Sequence, residues 1–193
     1  MSSHVMHANI IGHFKEIPDG HLHTAIYKSL DRRLQRTVSI SKMDDYIFEK
    51  MKFYHPFWIS TMQVTYDRGL LLPFKIETVY AFVDAVSGYR DRLPKAWPVS
   101  EDTFGNVPVV DRVIETKEAA RPYFIDLQNR WSRSYVGERP KYEHLSLELA
   151  YMPMWMISLR FQTEHVSVII NGMTGVGEEE LAARWAGEEW HRL

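Results

Sequence analysis

Two stretches with a shared Pro-x-Trp centre decide the fold: Tyr54-His55-Pro56-Phe57-Trp58-Ile59 and Tyr151-Met152-Pro153-Met154-Trp155-Met156. The second stretch follows the first at an offset of 97 residues, and the same offset aligns the amphipathic segment 26–34 with the segment 123–131. Two separate blocks in one register favour an internal repeat over a chance similarity between aromatic-rich strands. The sequence therefore predicts a duplicated unit.

A second pair of matching segments lies downstream of the Pro-x-Trp stretches. Residues 83–88 read Val-Asp-Ala-Val-Ser-Gly and residues 170–175 read Ile-Asn-Gly-Met-Thr-Gly, now at an offset of 87. The first copy therefore holds ten more residues than the second between its tryptophan and its glycine turn. The segment 67–74 is the natural place for them, because its Gly and Pro mark a loop whose length is inexpensive to change.

Each copy has the pattern of a helix followed by strands. Apolar residues at helical spacing predict a first helix at about 21–36, and a second lies within 111–131, where Pro122 predicts a kink or a new start near Ala120. Alternating apolar and polar residues predict returning strands at 77–86 and 166–170. Acidic residues open a segment at 178–190 that suits a C-terminal helix.

These patterns together predict an α+β protein made of two tandem pseudo-symmetric helix-plus-antiparallel-sheet units with a C-terminal helix. The first unit, with an N-terminal segment, is expected at 1–97 and the second, with the C-terminal helix, at 111–193. The segment 98–110 between them is rich in proline and lacks an apolar period, so it is predicted to be a linker.

The glycine turns resemble the turn that ends the last strand of PepSY-type, cystatin-like domains. Asp84-Ala85-Val86-Ser87-Gly88 fits the Asp-x-x-Ser/Thr-Gly form, whereas the second turn has Asn171 in place of Asp. A short side-chain acceptor there caps the following backbone N–H groups, and the glycine adopts a left-handed conformation. The resemblance implies a helix-strand-strand fold and a binding or inhibitory module.

Composition narrows the classes of function. The chain has 193 residues and a formal charge of -2, so it has no basic excess for a nucleic-acid backbone, and nucleic acid is not an expected partner. It has no cysteine, which excludes disulfides and thiolate chemistry. The N-terminus has no signal-peptide pattern and no window is apolar enough for a membrane span, so a soluble, cytoplasmic protein is predicted.

The sequence predicts neither a metal site nor a cofactor. Five histidines lie in the first 23 residues, but their spacing lacks the acid-bearing helical pattern of a zinc hydrolase. The glycine run at 172–177 has the wrong spacing for a phosphate loop, and three glutamates follow it. No nucleophile elbow or local triad is present, so enzymatic activity has no motif to support it.

The Pro-x-Trp stretches are the best candidates for a site. Proline lacks the donor of a strand ladder, so Pro56 and Pro153 are predicted at an edge, a bulge or a strand break. Two roles fit the tryptophans: they pack a helix on its sheet, or they line a cleft. In the second case the predicted ligand-binding residues share aromatic or imidazole side chains. They are Tyr54, His55, Trp58, Tyr151 and Trp155.

The sequence favours a non-enzymatic binding or assembly protein. A sheet face or edge at the proline-containing strands would be presented to a protein or peptide partner or to a second copy, with Met152, Met154 and Met156 as adaptable apolar surface. The alternative is a small-molecule-binding enzyme or sensor with an aromatic cleft. In that alternative His55 is the candidate general base, since imidazole titrates near neutral pH.

Overall fold

The computed structural model describes residues 7–69, 72–135, 138–162 and 164–178, and they form an α+β fold. The strands are β1 His7–Ile11, β2 Ile47–Tyr66, β3 Lys75–Asp84, β4 Arg90–Leu93, β5 Val99–Thr103, β6 Lys141–Arg160 and β7 His165–Asn171. The helices are α1 Asp19–Ser29, α2 Arg32–Gln35 and α3 Lys117–Ser132, with a 3₁₀ turn at Ile40–Asp45. The predicted C-terminal helix at 178–190 begins at the last described residue, and the rest of it lies outside the described residues.

The seven strands belong to one mixed sheet. Its order is β4-β3-β2-β6-β1-β5, and β7 pairs with β6. The hairpins β2–β3 and β6–β7 are antiparallel, whereas β1 meets β6 in parallel at Ile10 and Tyr151. None of the described helices is long and apolar enough to cross a membrane.

The chain divides into two compact units, and each unit takes segments from both halves of the sequence. The first comprises the described parts of Met1–His55, Val99–Val110 and Tyr151–Ala186, and the second those of Pro56–Pro98 and Asp111–Ala150. The segment 98–110, predicted as a linker, contains strand β5, which pairs with β1. β5 is almost wholly exposed and polar, so it has no apolar alternation for a sequence pattern to detect.

The core of the first unit lies between its helices and the end of the β6–β7 hairpin. Apolar side chains of α1 and α2 and of the two strands exclude water together, and this burial is the main stabilising term. The buried set is Leu22, Ala25, Ile26, Leu30, Leu34, Val38, Met43, Ile157, Leu159, Val168 and Ile170. The first helix thus packs on strands from the later half of the chain.

The core of the second unit has the reciprocal composition. One face of α3 packs on the β2–β3 hairpin, and the two chain segments again come from different halves. The buried set is Trp58, Met62, Ala81, Val83, Ala85, Ile114, Ala120, Tyr123, Phe124, Leu127 and Leu147. The expectation that each helix packs on the strands that follow it is therefore corrected: in the first unit the buried strand residues come from the other half, and in the second all of them do except Leu147 of β6.

The helix bounds differ from the prediction for local reasons. The helix expected at 21–36 is interrupted because Leu30 is extended, and Asp31 begins α2 by accepting a hydrogen bond from the Leu34 backbone N–H at 2.8 Å. Pro122 lies inside α3 and does not end it. The Thr116 hydroxyl caps the start of α3 by accepting from the Ala119 N–H at 3.1 Å.

Neither Pro-x-Trp stretch breaks its strand. β2 and β6 each run for 20 residues and include Pro56 and Pro153 in their interiors, which excludes the strand break among the three predicted alternatives of edge, bulge and break. Each proline instead lies one residue before the antiparallel ladder with the next strand, which begins at Phe57 in β2 and at Met154 in β6. The missing N–H groups therefore fall just outside those two ladders.

Candidate functional site

Both glycine turns are built by the same set of hydrogen bonds. The Asp84 carboxylate accepts from the backbone N–H groups of Val86 at 2.8 Å and Ser87 at 3.3 Å, and the Gly88 N–H, at φ 76°, closes the turn onto the Asp84 carbonyl at 2.9 Å. The Ala85 N–H donates to the Pro56 carbonyl at 3.1 Å. The turn thus ties the end of β3 to the Pro-x-Trp stretch of the second unit.

The turn of the first unit repeats these contacts with an amide in place of the carboxylate. The Asn171 side-chain oxygen accepts from the N–H groups of Met173 at 2.9 Å and Thr174 at 3.2 Å. The Gly175 N–H, at φ 70°, donates to the Asn171 carbonyl, and the Gly172 N–H to the Pro153 carbonyl, both at 2.8 Å. These turns are structural, as a cap on backbone donors requires no ligand.

The structure joins three of the predicted site residues in the first unit through intervening rings. The Phe104 ring lies 4.8 Å from Tyr151 and 5.3 Å from Tyr54. The Phe14 ring lies 5.3 Å from Tyr54 and 5.8 Å from Trp155. Tyr54, Tyr151 and Trp155 therefore belong to one aromatic row, which local sequence patterns did not indicate because Phe14 and Phe104 come from distant segments.

A groove of about 570 Å³ lies at the Trp155 end of that row. The Lys52 ammonium lies 4.8 Å from the centre of the Trp155 ring and 5.1 Å from that of Phe14, a cation–π arrangement. Lys50 lines the same groove. The buried indole Nε1 of Trp155 has no hydrogen-bond partner among the described residues.

The two remaining predicted residues lie in buried positions. His55 belongs to the first unit and is fully buried, so its imidazole is not exposed to a substrate in solution. Trp58 belongs to the second unit, where its ring is part of the α3 core and its Nε1 donates to the Ile114 carbonyl at 2.8 Å. Trp58 thus has the packing role, whereas Trp155 lines a groove.

Burial also acts on Tyr54. Desolvation raises the pKa of its phenol above the ordinary value, and the Asp102 carboxylate adds to the shift by disfavouring the phenolate. The neutral hydroxyl of Tyr54 is therefore maintained across the physiological pH range.

A polar chain in the second unit was missed by the sequence analysis. The Ser60 hydroxyl lies 2.8 Å from His144 Nδ1 and also donates to the Ser146 carbonyl at 2.8 Å. On the other side of the ring, Gln128 Nε2 lies 3.1 Å from His144 Nε2. One protonation pattern satisfies all three bonds: Gln128 donates to Nε2, and a neutral imidazole donates from Nδ1 to Ser60.

This pattern does not activate Ser60 as a nucleophile. The serine is buried, and its proton is engaged by the Ser146 carbonyl and not by the imidazole. The pKa of His144 is lowered, first by desolvation and then by the cations Arg121 and Lys117, which favours the neutral ring. The hydrogen bonds with Ser60 and Gln128 therefore hold the His144 ring in a fixed orientation.

The tip of the β2–β3 hairpin exposes an apolar row. Leu72, Phe74 and Ile76 are 50%, 66% and 60% exposed; Leu72 and Phe74 precede β3, and Ile76 is its second residue. The segment lies where the ten additional residues were predicted. Exposed apolar side chains that form a contiguous row usually mark an interaction surface.

No protein-family model, curated protein or solved structure matches the chain. The resemblance of the glycine turns to PepSY-type domains therefore stays a prediction.

Proposed function

We propose that this protein is an assembly module that pairs the exposed edge of β3 with the same edge of a second copy. The observation that carries the proposal is the exposed apolar row that leads into an uncovered edge of β3. β4 pairs with β3 only from Tyr80 to Val83, and no other described strand covers the remainder of that edge from Lys75 to Val79. An uncovered strand presents backbone donors and acceptors to another strand.

The side chains of this edge are complementary to themselves. An antiparallel pair centred on Ile76 would place Ile76 opposite its own copy, Phe74 opposite Thr78, and Lys75 opposite Glu77. Directly opposed apolar pairs and opposite charges each stabilise antiparallel strands. The same geometry is a closed two-fold contact, so it would end at a dimer.

Within one chain the two charges already interact. Lys75 forms an ion pair with Glu77, and that lysine holds the pKa of Glu77 below its usual range. The Glu77 carboxylate is thus charged at neutral pH, and the two side chains stand on the same face of the strand. In the proposed dimer they would exchange partners across the two-fold axis.

We further propose that the two halves of the chain are structural copies. Supporting this are the matching bonds of Asp84 and Asn171 and of the carbonyls of Pro56 and Pro153. The hairpins then differ at their tips: the second closes with the Phe161 N–H on the Glu164 carbonyl at 2.8 Å, whereas the first continues to the apolar row. The longer tip of the first hairpin is not needed to connect its two strands, because the second hairpin connects β6 and β7 with a shorter turn.

The test is a charge swap on the proposed edge, read by sedimentation velocity over a range of protein concentrations. The wild type is expected to dimerise. Lys75→Glu or Glu77→Lys alone would place like charges opposite each other and weaken the dimer, and the double variant K75E/E77K would restore it. Rescue by the double variant separates cross-strand pairing from a general effect of charge.

Lys141 and Glu143 provide a matched control. They have the same spacing on β6 in the same unit, are exposed, and lie in no apolar row. The swap K141E/E143K should leave the association unchanged. A wild type that is monomeric at all concentrations, or a dimer that is indifferent to K75E, would overturn the proposal.

A further inference from the structure

A pocket of the second unit lies between α3 and the beginning of β6, apart from the β3 edge. Its volume is about 360 Å³, which is within the range of small-ligand sites. The lining residues that matter here are Lys117, Arg121, Ile125, Gln128, His144 and Leu145. They divide into a cationic end and an apolar wall.

The cationic end has no acidic partner in the part of the chain that the structure describes. Lys117 and Arg121 are one turn apart in the first part of α3, the lining contains no carboxylate, and neither cation forms an ion pair with a described residue. Like charges at this spacing destabilise a helix, and cations at its N-terminal end oppose the helix dipole. Their placement therefore has a cost that an anion in the pocket would remove.

His144 gives the same pocket a fixed polar group. The buried hydroxyl of Ser60 and the side chain of Gln128 hold the two nitrogens of its ring, so its orientation is set before a ligand arrives. Arg121 and Lys117 on α3 are the charged groups that act on it. Because these bonds fix the ring in advance, less side-chain entropy is lost when a ligand binds beside it.

The apolar part of the lining is exposed: Ile125 follows Arg121 by one turn of α3, and Leu145 follows His144 on β6. Ile125 and Leu145 are 52% and 55% exposed, although both are large aliphatic residues. Such side chains gain free energy when a ligand removes them from water. The pocket therefore suits a molecule with an anionic group and an aliphatic body.

We propose that this pocket binds a small soluble amphipathic anion, a phosphate monoester or carboxylate with a short alkyl chain. The anionic group would lie against Lys117 and Arg121. The alkyl chain would cover Ile125 and Leu145. No covalent step is involved, and the proposal does not depend on the pairing of the β3 edge.

The test is calorimetric titration of the full-length protein with n-hexyl phosphate, inorganic phosphate and n-hexanol. Hexyl phosphate should bind more tightly than either other probe, because only it engages both ends of the pocket. K117Q/R121Q should weaken its binding roughly tenfold or more, since two charge-assisted contacts are lost. Ile125→Ser should reduce the advantage of hexyl phosphate over inorganic phosphate.

Arg133→Gln is the matched control, because Arg133 is an exposed cation at the other end of α3. It should bind hexyl phosphate as the wild type does. Equal weakening by R133Q and by K117Q/R121Q, equal binding of hexyl phosphate and inorganic phosphate, or no binding at all would overturn the proposal. So would binding to phosphatidylglycerol vesicles without binding to soluble hexyl phosphate, since the source would then be a membrane surface.

Discussion

The indole N–H of Trp58 donates to the backbone carbonyl of Ile114 at 2.8 Å inside the core of the second unit. Trp155, at the corresponding position of the other Pro-x-Trp stretch, has a buried N–H with no acceptor among the described residues. A satisfied buried donor stabilises a fold, whereas an unsatisfied one carries a desolvation cost. The same residue type therefore has different energetic consequences in the two stretches.

Replacing each tryptophan by phenylalanine should reveal this difference. Trp58→Phe removes the bond to Ile114 and leaves space in the core, so the free energy of unfolding should fall by about 1–3 kcal/mol. Trp155→Phe removes a donor that had no partner and should cost clearly less. Urea denaturation of both variants gives the comparison, and equal losses would contradict the assignment.

Gly172 should not tolerate a side chain. A Cβ atom there would lie 2.7 Å from the Pro153 carbonyl oxygen and 2.9 Å from the Phe14 ring. Because one of these contacts is backbone, the turn must shift, and Gly172→Ala should destabilise the first unit by about 1–3 kcal/mol. Gly20→Ala is the control: the position is open and helical, so alanine should stabilise it by about 0.5–1 kcal/mol. Thermal unfolding would show opposite shifts.

Asp126 should be critical for the second unit because it pairs with a buried cation. Its carboxylate accepts a hydrogen bond from Nε of buried Arg90 at 2.8 Å, and it forms ion pairs with Nη2 of Arg90 at 2.8 Å and with Nε of Arg130 at 3.1 Å. Asp126→Ala would leave Arg90 buried without this partner. The free energy of unfolding should fall by an amount at the lower end of the roughly 3–5 kcal/mol typical of a broken buried pair. Glu118→Ala, at an exposed site of the same helix, should change the free energy of unfolding little.

The stability of the second unit should depend on pH through His144. Its pKa in the folded chain is below the ordinary 6.5, first because of desolvation and then because of Arg121 and Lys117. The unfolded chain therefore binds the proton at a higher pH than the folded chain. The stability that the folded chain gains from neutral His144 is fully present above the ordinary pKa. It is lost as the pH falls through the pKa of the folded state.

The corresponding experiment compares the wild type with His144→Gln between neutral and mildly acidic pH. Glutamine does not titrate, and neither do the neighbouring side chains of Gln128 and Ser60. The variant should therefore lose less stability than the wild type as the pH is lowered. Parallel pH profiles of the two proteins would show that another group is responsible. The ring signals of His144 in NMR spectra would give its pKa directly.

Local patterns were sufficient for the strands that return after each Pro-x-Trp stretch. The predicted ranges 77–86 and 166–170 correspond to β3 and β7, because alternation reports a sheet with one buried face. The interruption after α1 was not predicted, since Leu30 and Leu34 continue the helical spacing across it. Asp31 could have indicated the start of a new helix, because aspartate is a common N-cap residue. Its carboxylate accepts from the backbone N–H of Leu34, three residues later.

The polar chain around His144 could not be predicted, because Ser60 and His144 are 84 residues apart in the sequence. Only the folded sheet brings them together, and no spacing rule relates residues of two different strands. The sequence does contain one sign of the cationic pocket. Lys117 and Arg121 occupy the part of a helix where cations are disfavoured, and that anomaly could have drawn attention to the site.

The mixed origin of each core has a consequence for synthesis on the ribosome. Ile26 of α1 packs with Ile157 and Ile170, so its apolar stripe emerges long before its partners. At about 5–20 residues per second, the wait from Ile26 to Ile157 is roughly 7–26 seconds. During that time the nascent chain presents an uncovered amphipathic helix. This core is therefore expected to form only after the β6–β7 hairpin has been synthesised, and chaperones would protect the helix until then.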